Sequence, residues 1–153
     1  MAHQRYMQRG AQAEVEIKGY KLPDELYYTR DHAWVKVEGN RIRIGITDVM
    51  QGLAGDISFI RVPRAGKMYE EGKTLASLQS GKWAGKFAAP MAGTVVEANV
   101  ALVSSPGVLN SSPYDEGWVA VMEPVDLEAG LANLLFGPDV EPWVLGELAE
   151  HAQ

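Results

Sequence analysis

The sequence predicts a mainly β fold, a compact barrel or sandwich that carries a helical cap at its C-terminal end. Short segments in which apolar and polar residues alternate recur through the middle of the chain, and turn residues separate them. Leucines at helical spacing follow Pro124, so strands come first and helices last. At 153 residues the chain is about one domain long and can bury a sizeable core.

The first strands are expected after a polar leader. Residues 1–19 are weakly patterned, which is typical of a flexible or loosely docked tail, so we place the folded domain at residues 20–153. Residues 33–37 and 41–46 alternate apolar with charged side chains on either side of Glu38-Gly39-Asn40. This pattern predicts a hairpin with one face in water.

A short helix and another strand should follow the hairpin. Thr47 is a candidate N-cap, and the helical pattern over residues 48–51 is stopped by Gly52 and Gly55. Residues 56–62 alternate again and predict the next strand.

The second half of the chain predicts more strands, a loop and the helical cap. Strands are expected over residues 73–78, 86–89, 93–98 and 117–123. Residues 104–115 are rich in Ser, Pro, Asn and Gly, which is typical of a long surface loop. Helical spacing relates Leu127, Leu131, Leu134 and Leu135, and a second helical stretch follows Pro142.

One lysine, Lys82, lies on a glycine-containing turn between two predicted strands, within Gln79-Ser80-Gly81-Lys82-Trp83. A flexible amine at the tip of a rigid hairpin has the geometry needed to present a covalently attached group to other proteins. The chain has no cysteine, which excludes disulfides, iron–sulfur ligation, Cys-based zinc sites and thiol catalysis. Without further context, however, a turn lysine is most often an ordinary solvated side chain.

Composition narrows the classes of partner. The formal net charge is −6, which disfavours a nucleic-acid-binding surface. No apolar run approaches the roughly 18 residues expected of a membrane span. No apolar stretch follows Arg5 and Arg9, so we expect no secretory signal and a cytoplasmic protein. We expect no metal site.

Four segments together resemble the signatures of the glycine cleavage H-protein family. They are Tyr28-Thr29-Arg30-Asp31-His32-Ala33-Trp34-Val35-Lys36-Val37; Gly45-Ile46-Thr47-Asp48 with Leu53-Ala54-Gly55-Asp56-Ile57; Ser80-Gly81-Lys82 with Pro90, Gly93, Val95 and Asn99; and Leu109-Asn110-Ser111-Ser112-Pro113-Tyr114-Asp115-Glu116-Gly117-Trp118. The similarity runs from about Tyr27 to Leu135, and its parts fall in the family's order.

The resemblance implies a lipoyl-type flattened β barrel, the barrel–sandwich hybrid, with short helices and the C-terminal helical cap. It also implies lipoic acid amide-linked to Lys82 and a carrier role without intrinsic catalysis. Lysine suits this role because its long stem adds reach and its amine loses its charge on acylation. The implied partners are a lipoate-attaching ligase or transferase and the glycine cleavage enzymes, and dihydrolipoamide dehydrogenase is a further partner that the resemblance allows.

The sequence departs from the family pattern near the lysine. Ala33 stands where the family has a glutamate, Lys86 where it has an aspartate, and Gln79 where it has another glutamate. Gly81 and Trp83 replace a valine and a small residue. The residues expected to line a cleft or serve recognition are therefore His32, Gln79, Ser80, Gly81, Trp83 and Lys86.

The loss of three acidic positions indicates a changed cargo, because a carboxylate would attract a cationic aminomethyl amine whereas Lys86 would repel it. The pattern resembles the H-protein-like lipoate-binding proteins of sulfur oxidation, which work with a heterodisulfide-reductase-like complex and sulfurtransferases. Transfer of sulfur intermediates or electrons is thus the expected role. The alternative is a glycine cleavage H protein that carries an aminomethyl group.

Other classes of protein fit the sequence less well. A hydrolase needs converging catalytic groups, whereas Asp31 and His32 would point to opposite faces of a strand. A biotin carrier would show Met-Lys-Met around its lysine, which is absent here. A structural interaction domain stays open if Lys82 is unmodified. We also expect Trp34 and Trp118 to be largely buried.

Overall fold

The computed structural model describes residues 14–151, which form strands followed by helices. The strands are β1 (Glu14–Ile17), β2 (Tyr20–Pro23), β3 (Tyr27–Tyr28), β4 (Ala33–Glu38), β5 (Arg41–Ile46), β6 (Ile57–Arg61), β7 (Met68–Tyr69), β8 (Thr74–Ser80), β9 (Ala84–Ala88), β10 (Gly93–Ala98) and β11 (Ala120–Pro124). The helices are α1 (Asp48–Ala54), α2 (Ala101–Ser104), α3 (Val108–Ser111), α4 (Leu127–Ala132) and α5 (Val140–His151), with a 3-10 turn at Gly137–Asp139.

Two antiparallel sheets enclose the main core. A six-stranded sheet has the order β3-β4-β5-β11-β10-β7, a three-stranded sheet has the order β6-β8-β9, and β1 pairs with β2 alone. Both large sheets contribute buried side chains to one cluster, the main core, which includes Ala33, Val35, Ile42, Ile44, Ile46, Ile57, Ile60, Leu78, Phe87, Val95 and Met122. The mainly β architecture predicted from the alternating pattern is therefore confirmed.

The predicted hairpin is present as β4 and β5. Val35 pairs with Ile44, and Gly39 adopts a positive φ of 67° in the turn, a conformation that glycine reaches without a Cβ penalty. The hairpin also holds Trp34, whose side chain is fully buried and whose indole N–H donates to the Pro113 carbonyl at 2.9 Å. The expected burial of Trp34 is correct.

Trp118 is less buried than Trp34: it is partly exposed and packs against the buried cluster that includes Trp34. Arg43 lies over its ring at 4.8 Å from the centroid. One face of the indole is thus covered by a partly exposed guanidinium.

Helix α1 begins where expected and ends later. Thr47 Oγ1 accepts the Met50 N–H at 3.1 Å, which satisfies a free donor of the first turn. The helix continues through Gly52 and ends at Gly55, whose φ of 78° suits a glycine after a helix. Of the two glycines predicted to end the helix, only Gly55 does so.

The long surface loop predicted over residues 104–115 is wrong in part. One single-turn helix, α3, lies within this region, and α2 ends at its first residue, Ser104. Leu109 of α3 is fully buried in the main core. Composition favoured a loop, but Leu109 reaches the core and holds this part of the backbone in a helical turn.

Strand β1 lies within the segment that the sequence predicts to be a polar leader, residues 1–19. Residues 14–17 pair with β2, and Ile17 is buried. Residues 1–13 lie outside the described part of the chain. The second core, which includes Ile17, Leu22, Leu26, Tyr28, Trp34, Val49, Leu135, Val140 and Val144, joins these first strands to the C-terminal region.

The helical cap is confirmed, although its first helix is shorter than the leucine spacing predicts. Helix α4 ends at Ala132, and Leu135 instead forms a β-bridge with Tyr28 through two backbone hydrogen bonds of 2.8 and 2.9 Å. Helix α5 follows and packs Val144, which is fully buried, into the second core.

Candidate functional site

Lys82 lies in the connection between β8 and β9, as the sequence predicts. Gln79 and Ala84 are the last paired residues of the two strands, and the Ser80 N–H donates to the Trp83 carbonyl across the turn at 2.7 Å. The Ser80 hydroxyl lies 3.4 Å from the Lys82 N–H. Lys82 is therefore an exposed residue on a closed turn whose backbone is held by the hairpin.

The Lys82 side chain crosses the turn that follows α1. A Cβ built on Gly55 would lie 3.0 Å from Lys82 Cε and 3.6 Å from Nζ, so the lysine stem rests against this glycine. Within residues 14–151 the amine forms no hydrogen bond or ion pair. A free amine on an exposed turn fits covalent attachment of an acyl group.

Asn110, on α3, fixes the turn that supports the lysine. Its Nδ2 donates to the Gly55 carbonyl at 2.8 Å, and its Oδ1 accepts the Ile57 N–H at 2.9 Å. The same amide lies 3.2 Å from Gln51 Oε1. One side chain thus satisfies the backbone on both sides of the turn. Sequence reasoning missed Asn110 and Gly55 as site residues, although both lie in family-like segments.

Trp83 anchors the tip of the hairpin. Its indole occupies the space over Gly85, so that a Cβ on this glycine would overlap the ring. Trp83 is half-buried and packs against the main core. The residue therefore secures the turn that carries Lys82.

Gln79 and Lys86 lie on the outer face of the three-stranded sheet. Both are exposed. Lys86 pairs with Ser77, which in turn pairs with Arg61 across the sheet. The structure thus places Gln79 and Lys86 beside the lysine turn, on the side opposite the core.

Ala33 lies apart from Gln79 and Lys86. It is fully buried in the main core, on β4 of the other large sheet. The three positions that lack the family's acids therefore do not form one cluster, because Ala33 faces apolar side chains while Gln79 and Lys86 face solvent. The expectation of a shared cleft at these positions is not met in this structure.

His32 lies away from Lys82, at the opposite end of α1. Its Nδ1 is 3.2 Å from Oγ1 of Thr47, the α1 N-cap, and its Nε2 is 3.0 Å from Glu147 Oε1. Its ring stacks on Trp143 at 4.6 Å. This buried histidine joins the helical cap to the sheet, and the structure gives it no place beside the lysine.

The strand geometry expected for Asp31 and His32 is also wrong. Both lie in the turn before β4, where His32 has a φ of 70°. Asp31 Oδ2 accepts the Ala88 N–H from β9 at 2.9 Å. The two side chains therefore serve two different contacts, with the helical cap and with the three-stranded sheet.

Two further features are absent from the described residues. Residues 14–151 contain no group of three or more His, Asp or Glu side chains arranged to hold a metal ion. No helix in this part of the chain is long and apolar enough to cross a membrane.

A two-sheet β fold that displays an exposed lysine on a closed hairpin turn has the geometry needed to carry a covalently attached group. The model of the family described as "Glycine cleavage H-protein" matches residues 26–141. The chain belongs to the glycine cleavage H-protein family. Members of this family are carriers without catalysis of their own and bear lipoate on a lysine.

Individual relatives show the same similarity. The glycine cleavage system H protein 2 of Aquifex aeolicus is 42% identical over 126 residues, covering 81% of this chain and 78% of the relative. The H protein of Geobacillus kaustophilus is 43% identical over 122 residues, covering 80% and 95%. The crystal structure of the Mycobacterium marinum H protein superposes with a TM-score of 0.71 at 27% identity, covering 82% of this chain and 98% of that one.

Proposed function

We propose that Lys82 carries the lipoyl group and that the protein serves the glycine cleavage enzymes as their mobile arm. The observation that carries this proposal is the free Lys82 amine on the closed turn of the β8–β9 hairpin. Support for the pathway comes from the relatives, which are named as H proteins of the glycine cleavage system. Cytoplasmic residence belongs to the same proposal.

The residues around the turn fit a lipoyl group on this lysine. The amine is exposed and has no partner to displace within residues 14–151, and Gly55 leaves room for the stem. Acylation removes the positive charge, which costs little because no described carboxylate pairs with it. When attached, the lipoyl group supplies a dithiolane that takes up and releases the transferred group.

The protein's own contribution is presentation. The Ser80–Trp83 hydrogen bond closes the turn, and the Trp83 ring ties it to the main core. A carrier needs a fixed root and a flexible arm, because the cofactor must enter several enzymes while the protein stays folded. Lysine supplies the flexibility through its four-carbon stem.

Mass spectrometry tests the site. The protein is incubated with lipoate, ATP and a lipoate–protein ligase, and we expect one lipoyl group on Lys82 in the intact chain and its peptides. Lys82→Arg should abolish the mass increase, and Lys86→Arg, four residues away on the same hairpin, should keep it. Attachment that persists in Lys82→Arg contradicts the assignment.

A second candidate, the transport of sulfur intermediates or electrons with a heterodisulfide-reductase-like complex and sulfurtransferases, rests on the charge beside the turn. Lys86 is exposed where the family pattern has an aspartate, and Arg61 lies two strands away in the same row. Cations near the arm suit an anionic cargo better than a cationic amine. The named relatives favour glycine cleavage.

An exchange assay separates the two candidates. The lipoylated protein is supplied to glycine decarboxylase, and exchange of labelled bicarbonate into glycine is compared with that supported by a glycine cleavage H protein. Exchange at a comparable rate supports the first candidate. Failure of exchange, together with a sulfur-containing mass increase on lipoylated Lys82 after incubation with a loaded sulfurtransferase, supports the second.

A further inference from the structure

The three-stranded sheet presents a solvent-facing surface beside the lysine turn, which we call the outer face. It is built from two rows that follow the strand register: Phe59, Gln79 and Ala84, then Arg61, Ser77 and Lys86. The alternate positions Ile60, Leu78 and Phe87 point to the main core and are buried. Phe59 has 45% of its surface exposed, which is high for a phenylalanine in a sheet.

This outer face is positively charged in an acidic protein. Strands β6, β8 and β9 contain no Asp or Glu, although the whole chain has a net charge of −6. Arg61 and Lys86 form no ion pair with any residue of the described range 14–151. Two cations that form no ion pair within this range lie beside an exposed aromatic ring and are available to a partner; Arg and aromatic side chains are enriched at binding surfaces.

The position of the outer face, next to Lys82, indicates which kind of partner binds there. Gln79 and Ala84 form the last pair before the turn, so the face continues directly to Lys82. An enzyme that acylates Lys82 must reach a bare amine at the end of four methylenes, and it therefore has to approach the hairpin closely. Enzymes that use the finished, longer arm can remain further away.

We propose that the outer face, through Phe59, Arg61 and Lys86, is the docking surface for the enzyme that attaches lipoate to Lys82. The complementary surface on that enzyme is an acidic patch next to its active site, with an apolar contact for Phe59. This inference rests on the proposed attachment of lipoate to Lys82.

Steady-state kinetics of attachment test the proposal. The unmodified protein is titrated as acceptor with a bacterial lipoate–protein ligase, ATP and lipoate at low and at physiological salt. For Arg61→Gln/Lys86→Gln we expect KM for the acceptor to rise about three- to tenfold with kcat nearly unchanged, as two exposed charge contacts would give. Its KM should also depend less on salt than that of the natural sequence. Phe59→Ser should raise KM as well.

The controls change equivalent groups elsewhere. Lys36→Gln removes an exposed cation from the six-stranded sheet, and Val125→Ser removes an exposed apolar side chain. Both should leave KM unchanged. If the double variant and Lys36→Gln have the same KM and salt dependence while Lys82 is still modified, the docking proposal is overturned and lipoate attachment stands. If the natural sequence gains no lipoyl group at Lys82, both proposals fail.

Discussion

The indole ring of Trp83 lies directly over Gly85, in the space that a Cβ on this glycine would occupy. Gly85 pairs with Leu78 on the core side of the sheet, so the ring fills the place of a core side chain at the end of β9. This contact lies three residues from Lys82 and connects the turn to the main core.

Gly85→Ala should therefore destabilise the protein by about 1–3 kcal/mol, because the added methyl displaces a packed ring. Urea unfolding with tryptophan fluorescence measures the loss. Gly81→Ala is the matched control, because a Cβ there meets nothing within 4 Å. A Gly85→Ala variant as stable as Gly81→Ala would show that Trp83 does not hold this position in solution.

Lys82→Ala should change the free energy of unfolding by less than about 0.5 kcal/mol, because Lys82 is exposed and unpaired within the described residues. Trp34→Ala should cost roughly 3–5 kcal/mol, since it removes a fully buried indole and its hydrogen bond to Pro113. Trp118→Ala should cost clearly less than Trp34→Ala. Thermal melts rank the three variants, and a Lys82→Ala loss as large as that of Trp34→Ala would make the lysine structural.

Asn110→Ala should cost about 1–3 kcal/mol, because it leaves the Ile57 N–H and the Gly55 carbonyl without their partner. Amide hydrogen exchange should increase at Gly55 and Ile57. Asn133→Ala, which alters an exposed asparagine, should leave the exchange of these amides unchanged. Equal protection in both variants would mean that Asn110 does not fix the turn under the lysine.

Glu147→Ala should lower stability by about 0.5–1.5 kcal/mol, because it removes the partner of the buried His32 ring. Glu150→Ala, on the same helix and exposed, is the control and should be nearly neutral. Chemical denaturation compares the two. If both variants lose the same stability, the contact between Glu147 and His32 does not stabilise the attachment of the helical cap.

Ala33→Glu should destabilise the protein by more than about 3 kcal/mol, because this position is buried among apolar side chains and a carboxylate there would lose its hydration. Lys86→Asp, at an exposed position, should change stability by less than about 0.5 kcal/mol. A stable Ala33→Glu variant would reveal that solvent reaches this position, as a cleft beside the arm requires.

The local pattern of apolar and polar residues predicted most strands and helices correctly. It failed where contacts between distant parts of the chain determine the structure. The hairpin of β4 and β5 follows from alternation, and Thr47 as N-cap follows from the residues after it. Residues 104–115 were misjudged in part because Leu109 becomes a core residue only when the sheets are assembled. The difference in burial between Trp34 and Trp118 was not predicted, because Trp118 lies under Arg43, which comes from another strand.

The sequence alone determined the order of strands and helices, the lysine on its turn and the family signatures around it. These depend on side-chain periodicity, turn residues and short motifs, all of which act over a few neighbouring positions. Only the tertiary structure decided which of the predicted site residues lie near the lysine and which lie elsewhere. Asn110 reaches Gly55 across 55 positions and Glu147 reaches His32 across 115. Such pairs are set by the packing of whole sheets and helices, which no local pattern encodes.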